Sequence, residues 1–550
     1  MPSRTCKGRR VCLAVVVSVI VAAPLATQAQ DAQIPDPNLQ RERTLQQQRL
    51  LQDSEEDARK PSEEPVIIGP QPGGEGDLPE LEAELELREI RFNDSAFIAP
   101  EQLQAIAADY TARPVRFADL NAMIGRINRI YAERGIISAR ALIPPQTIAD
   151  GVLQVRLVEG RLGKLGIEGN SATRDSFITS RLPLAEGEVV DIPALRSALN
   201  RINRTTELQV QTALKAGEAP GETDLALRVT EPDRLSTQFT IDNYGTESTG
   251  EYRGGLLAQV YAPLGIDDRL TLYGVGSEGA ANGLVSYGLP VNRYGGRLDL
   301  SYSTGDIEIV EGPFVPLDIT GDSTSYDVSL NQPFQRGDRL WSDVYLGGSW
   351  SDSVTDISGA ALSEFEVTRY TLGVQLRGFS DSGIWTFQQG VSRAEAENLF
   401  GDTDDTLLFN GLGSYVYRLT DLWSAQARAG WQYSSEKTVP SPLLFQVGGT
   451  GSVRGYTEGA LAGARGYFLN LEARYRYSPQ MTSFVFVDHG LVDDVSPDRE
   501  TVTSAGLGLA WQYGRYLGGE LSWGQTLEDV LPDQDTGRFH ARVSLFWGGL

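Results

Sequence analysis

The sequence predicts two small α+β domains followed by an all-β transmembrane barrel, and three observations carry that reading. The chain opens on a secretory leader. After a Pro/Gly-rich linker, a pattern repeats with a period of about 75 residues, and beyond residue 235 the chain breaks into short alternating segments separated by turn residues.

The leader comes first. Lys7, Arg9 and Arg10 precede an apolar run from Val11 to Ala23 and small residues at Ala26, Thr27 and Ala29. That order marks residues 1–29 as a signal peptide, with cleavage expected after Ala29. The run is too short for a spanning helix, which needs roughly 20 residues. Glycine and charged residues interrupt every later apolar stretch, so a place in a membrane requires strands. The only cysteines, Cys6 and Cys12, lie in the leader, and Arg10 and Val11 before Cys12 are not the small residues of a lipoprotein signal. The mature chain is therefore expected to have neither disulfide nor thiol chemistry.

The formal charge is −25, and removal of four basic residues with the leader makes it −29. Nucleic acid is not expected as a partner of so acidic a chain. The acidity suits solvated loops and a wet lumen, and equally a soluble secreted protein.

Residues 30–60 are polar, with Leu39, Leu45, Leu50 and Leu51 compatible with a helix and the composition equally compatible with a disordered tail. Prolines and glycines across 61–81 predict a linker without regular structure. Then comes the repeat, over 82–160 and 161–232. Ser171 follows Ser95 by 76 residues, and the phrase Arg126-Ile127-Asn128-Arg129 returns 75 residues later as Arg201-Ile202-Asn203-Arg204. Leu120, Ile124, Ile127 and Tyr131 share one helical face, as do Ile192, Leu195, Leu199 and Ile202. Strand-like runs at Leu87–Phe92, Ile136–Leu142 and Val152–Val158, and at Leu162–Ile167, Leu208–Leu214 and Thr223–Val229, give each copy the order strand, helix, helix, strand, strand. A core of about 75 residues is marginal, which favours packing against a neighbour. The two arginine phrases read as solvated helix faces, placed where a substrate groove could form.

Residues 233–550 form the barrel. Trp423, Ala425, Ala427, Ala429, Trp431 and Tyr433 share one face of a segment whose other face is polar; Leu469–Tyr477 and Ala505–Tyr513 repeat the pattern. Aromatics end these apolar faces, at the level where a ring with a polar edge meets lipid headgroups. Sixteen candidates start near Leu235, Tyr252, Asp268, Gly283, Gly296, Ser323, Asp338, Phe365, Gly383, Asp405, Leu422, Tyr467, Met481, Thr501, Tyr516 and Arg538. The number is even, as a bacterial single-chain barrel requires. A soluble secreted β-protein also alternates, but would more often bury its aromatics mid-strand.

No enzyme is expected. The two histidines, His489 and His540, fall in predicted strands with no cysteine to share a metal, Gly163-Lys164 lacks the upstream glycine of a P-loop, and no G-x-S-x-G occurs. Catalytic residues, metal and cofactors are accordingly none. The unusual segment is the connection Ser434–Gly466, in which Gly448, Gly449, Gly451 and Gly455 surround Arg454. Such a backbone can fold back into a pore, where a guanidinium requires a partner. In the run Phe484–Gly490, alternation directs Asp488 to the lumen if Val485 and Val487 face lipid, and Asp488 can then accept two parallel bonds from Arg454. It also reads as a solvated lumen carboxylate.

Here the chain resembles a family. Val453-Arg454-Gly455-Tyr456 is similar to the VRGY signature in the sixth extracellular loop of two-partner secretion transporters, and Phe486, Asp488 and Gly490 to their F-x-D-x-G strand motif. The repeats resemble that family's two polypeptide-transport-associated (POTRA) domains, with Val158-Glu159-Gly160-Arg161 as the junction. The resemblance implies a Gram-negative outer-membrane location with periplasmic POTRA domains and a 16-stranded antiparallel barrel. It also implies an N-terminal plug helix over 38–56 and nucleotide-free export of a cognate unfolded exoprotein captured by the POTRA domains. Outer-membrane lipid or lipopolysaccharide, and the barrel assembly machinery during biogenesis, are the other expected partners. Family barrels commonly end on an aromatic residue, whereas this chain ends Phe546-Trp547-Gly548-Gly549-Leu550. The alternatives are an outer-membrane assembly factor of the same superfamily, which usually carries more POTRA domains, and a passive porin, which leaves the repeats without purpose.

Overall fold

The computed structural model describes residues 67–68 and 84–548, apart from 112, 137, 149, 220, 494–498 and 531–533. The expected leader (1–29) and plug segment (30–60) lie outside the described residues.

The linker is not wholly free of regular structure. It contributes β1 (Ile67–Ile68), paired in parallel with Thr212 and Ala213. In sequence, Val66, Ile67 and Ile68 are three successive β-branched residues between Pro65 and Pro70, so the prolines limit the strand without abolishing it.

The first repeat consists of β2 (Glu89–Phe92), α1 (Pro100–Thr111), α2 (Phe117–Glu133), β3 (Ala139–Leu142) and β4 (Val152–Glu159). The second consists of β5 (Arg161–Glu168), α3 (Asp175–Thr179), α4 (Ile192–Thr205), β6 (Gln209–Ala216) and β7 (Glu222–Thr230). Their sheets run β2-β4-β3 and β1-β6-β7-β5, with β2 and β5 parallel to their partners. On α4 the anticipated face Ile192, Leu195, Leu199 and Ile202 is buried throughout. On α2, Leu120, Ile127 and Tyr131 are buried with Met123, while Ile124 only packs at the margin, because the stripe leans to the i+3 side.

The repeated arginine phrases differ from the expectation of two solvated faces. Arg126 is exposed and pairs with Asp109 at 2.7 Å. Arg204 instead reaches the barrel, donating to the Arg336 carbonyl at 2.7 Å and pairing with Asp338. Between the arginines, the asparagines staple helix to sheet. Asn128 Oδ1 accepts the Ala141 N–H at 2.7 Å, and Asn203 accepts the Val210 N–H at 2.7 Å while donating to its carbonyl at 3.0 Å.

A second repeated device closes each domain. Glu159, ending β4, accepts the Ala96 N–H at 2.8 Å and the hydroxyls of Ser95 and Tyr131. Glu231, just past β7, accepts the N–H groups of Ser171, Ala172 and Thr173 at 2.8, 2.8 and 2.7 Å. Partial burial pushes the Glu231 carboxyl up, but these donors outweigh it and hold it below the usual carboxylate range.

The second domain is docked on the barrel's short turns. Barrel residues Tyr261 and Ala262 enter its hydrophobic core, Arg174 donates to the Gly265 carbonyl at 3.0 Å, and Glu207 N–H donates to Asp267 at 3.0 Å. Asp267 is fully enclosed; burial pushes its carboxyl up to about 6, against the pull of Arg297 at 3.0 Å.

Sixteen antiparallel strands then close on themselves: β8 (Leu235–Asp242), β9 (Arg253–Tyr261), β10 (Arg269–Gly276), β11 (Ala280–Pro290), β12 (Arg297–Glu308), β13 (Ile319–Arg336), β14 (Leu340–Ile357), β15 (Ala360–Phe379), β16 (Gly383–Asn398), β17 (Thr403–Arg418), β18 (Trp423–Ser434), β21 (Arg465–Ser478), β22 (Met481–Asp493), β23 (Glu500–Tyr513), β24 (Leu517–Thr526) and β25 (Gly537–Trp547). Short strands β19 (Phe445–Val447) and β20 (Leu461–Gly463) pair within the long connection. All sixteen expected strands are present, with starts shifted by at most five residues. The larger shifts, at Ile319 and Ala360, arise because β13, β14 and β15 run 18, 18 and 20 residues, well past the roughly 9–11 that cross a bilayer. Outward rings pair across strands, Tyr302 with Tyr326 at 5.1 Å and Trp350 with Tyr370 at 6.2 Å. None of the described helices is long and apolar enough to cross a membrane.

The Glu231 staple should make the second domain's stability depend on pH. Its folded-state pKa is depressed, so its contribution is complete above the ordinary value of 4.5 and is lost as pH falls through the lower folded value. Thermal unfolding of Glu231→Gln between pH 3 and 6, at order-of-magnitude spacing of about 0.5 unit, should show a flatter acid limb than the parent. Identical acid limbs would refute the staple.

Candidate functional site

The barrel's sixth outer connection, between β18 and β21, is the segment that folds inward. Its tip is made from Val453, Arg454, Gly455 and Tyr456, all buried.

Arg454 is held on three sides. Its Nε and Nη2 donate to the two Asp488 oxygens at 2.7 and 2.8 Å, its backbone N–H reaches Asp488 at 3.1 Å, and Nη1 donates to Glu472 at 2.6 Å. The guanidinium lies 3.5 Å from the centre of the Phe486 ring. Asp488 is 0% exposed, so its charge is solvated only by these donors. Alternation explains the placement: on β22, Phe484, Phe486 and Asp488 are buried while Val485 and Val487 are exposed.

The remaining positions make room for this bond. Gly490 has no side chain because a Cβ there would lie 2.3 Å from Val447 and 3.0 Å from Val453. Gly455 adopts φ +90° and brings its backbone against Gly524 of β24, where a Cβ on Gly455 would lie 2.8 Å from the Gly524 carbonyl. Its N–H donates to His540 Nε2 at 3.2 Å. The Tyr456 hydroxyl sits 2.9 Å from the carbonyls of Thr503 and Glu528, donating to one and accepting from their N–H groups at 3.3 Å.

Sequence reasoning did not single out Glu472 or Asn470, and it weighed His540 only as a metal ligand, not as a partner of the loop. Asn470 and Glu472 stood on the polar face of β21, directly opposite Asp488 and Phe486, so cross-strand register would have found them. Asn470 donates to the Ser452 carbonyl, and Glu472 also binds Arg474 Nη2 at 2.7 Å. Nothing local marks His540, since it meets the loop only through barrel closure. His489 faces outward beside Tyr467 and Thr503.

The clasp borders an open cavity of about 590 Å³ whose lining includes Arg377, Arg428, Arg454, Arg474 and Arg542, with Glu472 and Glu520. A loop fixed across a polar lumen can gate passage along it; no arrangement for covalent catalysis accompanies it among the described residues.

Comparison with known proteins decides the family. The model of the haemolysin secretion/activation protein ShlB/FhaC/HecB family matches residues 221–511, and that of the ShlB-type POTRA domain matches residues 85–160. The chain belongs to the ShlB/FhaC/HecB family. It is an outer-membrane two-partner secretion transporter, with its POTRA domains in the periplasm. Among its relatives, the outer membrane transporter CdiB of Dickeya dadantii is 27% identical over 415 residues, covering 71% of this chain and 72% of that protein. The heme/hemopexin transporter protein HuxB of Haemophilus influenzae is 24% identical over 426 residues, covering 72% and 73%. In fold, CdiB from Escherichia coli aligns with TM-score 0.66 at 20% identity, covering 94% of this chain and 100% of that one. BamA from Haemophilus ducreyi shares the fold at TM-score 0.54 and 18% identity over 84% of this chain. The family match places the transporter with secretion rather than with the assembly-factor alternative.

Removing one partner from a buried ion pair costs about 3–5 kcal/mol, because the other charge is left unpaired. Arg454→Ala, Asp488→Ala and the double variant should therefore each release the loop to added protease, with the double less damaging than the sum. Strict additivity, or a loop equally protected in all three, would show that the pair does not anchor it. Gly490→Ala should weaken the same protection with every charge intact, through the clash with Val447 and Val453.

Proposed function

We propose that the transporter captures its exoprotein unfolded, through the strand edges and helix grooves of the POTRA domains, and passes it through a lumen gated by the Arg454–Asp488 loop. The observation that carries this is the clasp, a buried charged contact that spans from an outer loop to the barrel wall. In a confined lumen such a contact is retained for position rather than for stability, since well-packed apolar residues would serve stability as well. Strand addition suits the capture step because main-chain bonds accept many sequences, while alternate side chains give selectivity. Nucleotide has no role in this reading, and the energy comes from the exoprotein folding outside.

Two further features belong to the same reading. Residues 38–56 plug the pore at rest, and the linker threads back to the first POTRA domain. Lipopolysaccharide surrounds the outward aromatic belt, and the barrel assembly machinery acts on the chain during biogenesis.

Arg454→Ala should reduce export of the partner at least about tenfold with heat-modifiable barrel still present in the membrane, the loss of roughly 1.4 kcal/mol or more. Secretion of the partner at the parental rate would sink the gating role. Deleting residues 31–60 should raise planar-bilayer conductance, and an unchanged conductance removes the plug.

A further inference from the structure

We propose that Arg377, Thr386, Ser414 and Arg428 form a carboxylate-reading band on the lumen wall, and that the exoprotein passes it as an extended segment rich in aspartate and glutamate. The proposal rests on the transport reading above and names the substrate class of that lumen.

Register assembles the band from four strands. Arg377 of β15 lies opposite Thr386 of β16, Thr386 opposite Ser414 of β17, and Ser414 opposite Arg428 of β18. All four line the cavity beside the clasp. With neighbouring strands about 4.8 Å apart, the two arginines start about 14 Å from one another at the backbone. Between them the Thr386 and Ser414 hydroxyls stand 2.6 Å apart; one donates to the other, and the second keeps its own hydrogen to donate. The row continues through Asn470 to Asp488, so the band lies level with the clasp, and a chain that passes the loop passes the band.

The charge of this wall is not that of the chain. The sequence has 73 acidic and 48 basic residues, yet among the described residues no carboxylate from β15–β18 lines the cavity; Gln375, Gln388 and Gln426 flank the band instead. The carboxylates that do line it are Glu472 on β21 and Glu520 on β24. On that side the other arginines meet wall carboxylates: Arg454 meets Asp488 and Glu472, Arg474 meets Glu472, and Arg542 meets Asp242 at 3.1 Å. The sign reverses on the outside of the band's own strands, where exposed Glu366 of β15 lies opposite both Asp352 of β14 and Glu397 of β16. Like charges directly opposite one another are destabilising, so arginine inside and carboxylate outside is a face-by-face arrangement rather than a consequence of composition. A guanidinium presents a planar fork that takes both oxygens of a carboxylate, and low-dielectric walls concentrate the field of such groups along the path. Two forks with a hydroxyl pair between them therefore favour passing Asp and Glu over Lys and Arg. A cavity of about 590 Å³ admits that segment extended and not as a folded domain.

The test uses the full chain in a planar bilayer and two peptides of about 12 residues, long enough when extended to cross the roughly 30 Å hydrocarbon core, one built from Gly-Ser-Glu repeats and the other from Gly-Ser-Lys repeats. Added from the periplasmic face, the glutamate peptide should interrupt the open-channel current at a concentration at least tenfold below that of the lysine peptide. Replacing both arginines, Arg377→Gln with Arg428→Gln, should erase that difference. Arg377→Lys with Arg428→Lys, which keeps the charge and loses the fork, should retain the order of the two peptides with a smaller ratio. Equal or reversed potency of the two peptides on the parent overturns the proposal, as does an undiminished ratio in the glutamine chain. The parent comparison decides the matter by itself if a substituted chain does not assemble. Export of the partner by a parent that treats both peptides alike would refute the band and spare the transport reading; preference for the glutamate peptide with no export would sink the transport reading alone.

Discussion

The contact on which the site depends is the one between Arg454 and Asp488. A guanidinium buried between an inward-folded loop and the barrel wall needs its donors answered, and here two carboxylates and an aromatic face answer them. The neighbouring residues follow from that requirement. Phe486 supplies the ring, Gly490 supplies the space for the loop, and Gly455 lets the backbone turn at positive φ so that the arginine points at the wall. The short signatures in loop and strand are therefore one steric and electrostatic unit divided between two stretches of chain 34 residues apart.

Much of the architecture was legible because each element obeys one simple period. Alternation of two separated lipid from lumen along β18, β21 and β22, and alternation also assigned Asp488 to the inside before any partner was known. The helical stripe of α4 was legible for the same reason. What was not legible depends on neighbours distant in sequence. Glu472 needed the β21–β22 register, His540 needed the closure of β25 on β8, and Asn128 and Asn203 needed the edge strands that they bond. The linker misled in another way: its prolines were weighed as breakers, while Ile67 and Ile68 between two of them were enough to join a sheet.

The periplasmic domains are tied down with unequal strength. The second shares its core with a barrel turn and sends Arg204 to the β13–β14 connection, so its orientation on the barrel is fixed by burial and by charge together. The first is joined to it through Glu159-Gly160-Arg161, where Gly160 sits against Ser138 and Thr223 with no space for a larger residue. Each domain exits through a glutamate that grips its own first loop, so the repeats preserve a fixed exit direction although their helices differ in length, 12 residues in α1 and 5 in α3.

One close approach also limits how this sequence can drift. At the crossing of Gly455 and Gly524 two main chains touch, and a methyl group on Gly524 would come within 2.7 Å of the Gly455 nitrogen. Neither position carries a functional group, yet neither can accept even alanine unless the opposite backbone retreats. A survey of tolerated changes should therefore find two silent-looking glycines as intolerant as the charged pair, and escape from that constraint would require simultaneous changes on both sides of the crossing.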